Sequence, residues 1–70
     1  MKWAVIYERG EDGSWGAHTP DLPVAVVGDS REDAERLVRE GVAFHLEGLR
    51  EDGLGLPEPR AEAGAVEVAA

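Results

Sequence analysis

Seventy residues suffice for one domain and not for two, since domains run from about 50 to 250 residues. Hydrophobic residues form 43% and charged residues 31% of the chain, the profile of a folded protein and not of an apolar-poor tail. Fifteen acidic residues against seven basic ones leave a charge of −8, which excludes long-range attraction to phosphate backbones or anionic lipid, and zero cysteines exclude disulfides and thiolate zinc sites.

The amino end, Met1-Lys2-Trp3, opens directly into strand-like sequence, and no run approaches the roughly 18 apolar residues of a membrane span. With no leader and no cysteine, a cytoplasmic protein is expected. Lys2 to Glu8 is dense in β-branched and aromatic residues and reads as the first strand. Gly10 and the pair Asp12-Gly13 supply the positive-φ chemistry of a hairpin turn. Ser14 to Thr19 is the second strand, with Trp15, Ala17 and Thr19 on one face. Pro20 and Pro23 cannot donate ladder hydrogen bonds, so Pro20-Asp21-Leu22-Pro23 ends that strand in a corner. Val24 to Val27 is the third strand, stopped by Gly28-Asp29-Ser30.

Ser30, with Asp33 three residues later, approximates a capping box and predicts a helix from Arg31 to about Asp52. Ala34, Leu37, Val38, Gly41, Val42, His45 and Leu49 recur at helical spacing, with Phe44 and Leu46 broadening the stripe. Glu32–Arg36 and Glu35–Arg39 are favourable i,i+4 pairs on the wet face, and Gly53 is placed to end the helix. Pro57 and Pro59 enforce an extended connection, and Ala65-Val66-Glu67-Val68 alternates as a short final strand. The expected fold is therefore α+β, in the order β-β-β-α-β. Three antiparallel strands form a meander, and one helix on one face returns a parallel fourth strand by a right-handed crossover.

One helix covers one face of a sheet, yet the first strand is apolar at both parities: Trp3, Val5 and Tyr7 on one side, Ala4 and Ile6 on the other. A second protein surface is the expected cover, which points to a homodimer, a higher homo-oligomer or a complex with another partner. His18 and His45 are too isolated to assemble a nucleophilic triad with Ser14 or Ser30, and no phosphate-cradling glycine motif is present. Asp12, Asp21 and Asp29 fall in turns, where aspartate caps backbone groups. No catalytic residue, metal ligand or cofactor is assigned. Trp3 and Trp15 either pair across the hairpin or anchor an interface.

Taken in order, Asp12-Gly13, Trp15, Pro20-Asp21-Leu22-Pro23, Gly28-Asp29-Ser30, Asp33-Ala34, Leu46-Glu47-Gly48-Leu49, Gly53 and Leu56-Pro57-Glu58-Pro59 resemble the HicB-like family. The resemblance implies a degenerate, partial RNase H-like fold without its acidic site. It also implies the antitoxin half of a type II toxin–antitoxin pair, which binds a HicA-like toxin, a small basic mRNA interferase, and covers its RNA-cleaving surface. The charge of −8 suits such a partner. Many members continue past Leu-Pro with Gly-Cys, whereas Pro23 is followed here by Val24 and Ala25. Full-length members usually carry a carboxy-terminal DNA-binding module, for which 70 residues leave no room, so direct DNA binding is not expected. Trp15, Asp21 and Leu22 are the candidate partner-binding residues. The alternatives are an orphan homo-oligomer, or a metal-dependent RNase H-like nuclease in which Glu8, Asp21 and Glu67 would converge.

Overall fold

Each reversal of the chain is made by a residue suited to it. After β1 (Ile6–Arg9), Gly13 adopts φ +90°, and Asp12 Oδ1 accepts bonds from the Ser14 N–H and hydroxyl at 3.0 and 2.6 Å. Glycine meets this positive φ without the clash a Cβ would bring. After β2 (Trp15–Thr19), the Val24 N–H donates to the Leu22 carbonyl at 2.8 Å, closing a three-residue turn about Pro23. β3 (Val24–Gly28) follows, and the three strands form an antiparallel sheet in the order β1-β2-β3. The computed structural model describes residues 1–69.

The first strand is shorter than its composition predicts, beginning at Ile6 and not at Lys2. Register explains this. Ile6 pairs with His18, so Ala4 falls opposite Pro20, which has no N–H to offer. Trp15 pairs with Arg9, whose guanidinium lies 5.7 Å from the indole centroid, so Trp3 and Trp15 do not pair across the hairpin.

α1 (Arg31–Glu51) starts where Ser30 Oγ accepts the Asp33 N–H at 3.0 Å. The Asp33 carboxylate reaches back one residue further than in a standard capping box, accepting the Asp29 N–H at 3.0 Å. The helix ends in a full Schellman motif: Gly53 at φ +71° donates to the Arg50 carbonyl and Leu54 to the Leu49 carbonyl. Its inner face lies close to the sheet. Ala17, Ala34 and Val38 form the buried centre, with Val5, Tyr7, Trp15, Val24, Val26 and Val42 partly buried around it. Two glycines permit this approach. A Cβ on Gly28 would sit 2.7 Å from the Ala34 nitrogen, and one on Gly41 2.9 Å from Val24 Cγ1.

The expected fourth strand does not form. Residues 53–69 hold no strand, and Val66 and Val68 are 89% and 79% exposed. Alternation of Ala65-Val66-Glu67-Val68 supplies propensity only, and a strand needs a neighbouring edge to bond with. The observed class is a small α+β unit, a three-stranded antiparallel meander with one helix.

Candidate functional site

The three residues singled out as a partner-binding patch are each engaged within the fold. Trp15 packs against the Ala17–Ala34–Val38 centre, at the opposite end of β2 from the other two. Leu22 is buried beneath the β2–β3 corner. Asp21 Oδ2 accepts the backbone N–H groups of Arg60 and Ala61 at 2.9 and 3.0 Å. These two bonds, from Ala61 first and Arg60 second, hold the Asp21 carboxyl below its ordinary range and fix the tail to the sheet corner.

Two apolar surfaces stay uncovered. On the sheet face away from the helix, Ile6, His18 and Ala25 form one cross-strand row, and Glu8, Gly16 and Val27 the next. Val27 is 70% exposed there. The second surface is an open groove of about 440 Å³ between β3 and α1. Its walls include Val24 and Val26 from the strand and Gly41, Phe44, Gly48 and Leu49 from the helix.

Phe44 corrects the expectation that it widens the buried stripe, because it is 83% exposed. Six residues beyond Val38 it is rotated about 120° from the inward direction. That offset was present in the spacing. It also sorts the helix charges. Glu40 and Glu51 lie outward of Phe44, Glu47 stands on the outer ridge, and Asp52 lines the groove. Arg39 belongs to the opposite flank, where it lines a cleft over Trp3, Val5 and Tyr7. Arg36, on the outer ridge, bonds Asp33 at 2.6 Å and Glu40 at 3.2 Å. The Asp29 N–H and the Arg36 guanidinium hold the Asp33 carboxyl below its usual range, and Asp33 and Glu40 together raise Arg36.

Glu8, Asp21 and Glu67 do not assemble. Among the described residues no three of His, Asp and Glu are grouped as a metal ion would require. His18 lies in the open sheet face and His45 in the wall of the groove. No helix among the described residues is long and apolar enough to cross a membrane. Comparison with family models, with curated proteins and with solved structures finds no match.

Proposed function

We propose that this chain is a non-enzymatic binding module of HicB-like type, an antitoxin that covers the RNA-cleaving surface of a small basic ribonuclease. The reading is supported first by the residues that carry the family resemblance, which act as joints of the β-β-β-α unit. Asp12-Gly13 makes the hairpin, Asp21 holds the tail, Gly28 gives the helix room and Ser30 caps it. The single observation that carries a binding role is the apolar surface this small core leaves uncovered, chiefly Phe44 beside the β3 edge and Val27 on the open sheet. The partial RNase H-like relation belongs to the same proposal.

The test is purification of the tagged chain from its native lysate at moderate salt, followed by assay of what accompanies it. A small basic chain is expected, with RNA cleavage that stops when the antitoxin is added in equal amount. Cleavage that continues unchanged in the complex would overturn the reading.

Self-association is a second reading, favoured by the row Ile6, His18, Ala25 on the open sheet face. Sedimentation showing only monomer at micromolar concentration would remove it.

A further inference from the structure

Natural sheets blunt their edge strands with charges, prolines or bulges, because free N–H and C=O groups invite another strand. The β1 edge follows this rule, with Glu8 and Arg9 in its four residues. The β3 edge does not. Val24-Ala25-Val26-Val27-Gly28 carries no charge and no proline, and its pairing with β2 runs without a bulge. Beside this bare edge lies the groove to α1, with Phe44 standing exposed over it.

Charge identifies the occupant. Asp52 lines the groove at its helix end, and neither it nor its neighbour Glu51 has an ion-pair partner among the described residues, so the rim there is acidic; Glu40 and Glu47, turned further outward, are paired with Arg36 and Arg50. A second copy pairing antiparallel along β3 would bring two such rims together, an unfavourable like-charge juxtaposition. A cationic strand meets the opposite situation. Lysine or arginine stems can lie along the Phe44 ring while their heads reach the carboxylates. The alternate residues of that strand would then extend the open sheet face beside Ala25 and Val27.

We propose that the β3 edge and its groove form a strand-accepting dock for a basic, extended segment of a partner protein, with Lys or Arg at alternate positions. The proposal rests on the binding-module reading and gives it a site. Main-chain bonding to β3 provides affinity, and the carboxylate rim with Phe44 provides selection.

The test uses the full chain, labelled for amide exchange, and a short peptide of alternating lysine and valine, with an alternating lysine–glycine peptide of equal charge as control. The expected result is slowed exchange confined to Val24–Gly28, with shifts at Phe44 and tighter binding of the lysine–valine peptide. Phe44→Ala, and separately Glu51→Arg with Asp52→Arg, should each weaken that binding about tenfold. All three side chains are exposed, so the fold is retained. Three outcomes overturn the dock: protection at β1 or the tail in place of β3, equal affinity for both peptides, or β3 amides already protected in the free chain in proportion to its concentration. The last would seat a second copy there. None of these requires the ribonuclease, so failure of the dock is distinguishable from failure of the antitoxin reading.

Discussion

Two single residues set conditions that experiment can reach directly. Asp21 is ionised in the folded chain at a lower pH than in the unfolded one, because the Ala61 and Arg60 N–H groups bond its charged form. A depressed carboxylate stabilises the fold fully above its unfolded value, about 3.9, and the contribution disappears as pH falls through the folded value. Acidification below about pH 4 should therefore free the tail from the corner. The Arg60 and Ala61 amide resonances, followed against pH, should shift together with the titration of Asp21, and Asp21→Asn should weaken the link at neutral pH. Independent titration of the two amides would count against the assignment. Thr19 presents the opposite problem, since its Oγ1 is buried with no hydrogen-bond partner among the described residues. An unmade bond of this kind costs about 1–3 kcal/mol. Thr19→Val keeps the shape and removes the polar atom, so it should leave stability unchanged or raise it by about 1 kcal/mol in urea unfolding. The sequence places Asp21 in a turn, where aspartate caps backbone groups, and the backbone groups it accepts lie 39 and 40 positions away, where no local pattern reaches.

At the level of elements, the helix carries two glycines with opposite consequences. Gly48 faces open space, so Gly48→Ala should stabilise by about 0.5–1 kcal/mol through helix propensity alone. A Cβ at Gly41 would meet Val24 Cγ1 at 2.9 Å, and there the same change should destabilise, because overpacking at about 1–3 kcal/mol exceeds the propensity gain. Thermal unfolding of the two variants should move in opposite directions. The helix itself was legible almost to the residue. Ser30 and Gly53 mark its ends by local chemistry, and the apolar spacing marks its length. The hairpin was legible for the same reason, through Asp12-Gly13. The fourth strand failed on a different kind of evidence, since alternation at Val66 and Val68 says which faces a strand would have and nothing about an edge to join. Phe44 failed because it was counted for its type, while its angle on the helix placed it beside β3.

Across the whole molecule, the tail stretches what would otherwise be a small body. The radius of gyration is 14.0 Å, against about 11 Å for a compact chain of this length. Because the buried centre contains only residues up to Val38, and the tail beyond Ala61 is exposed, a chain ending at Ala61 should unfold within about 0.5 kcal/mol of the full one. Loss of cooperative urea unfolding in that shorter chain would show that the tail holds more than the surface displays. The Asp21 clamp also sets the leash of anything joined to the carboxy end. Nine residues follow Ala61 and seventeen follow Gly53, which by random-coil arithmetic gives a reach of about 17 Å with the clamp closed and about 23 Å with it open. A fluorophore hung on that end would thus explore a smaller sphere at neutral pH than in acid, and the Asp21 carboxylate decides which.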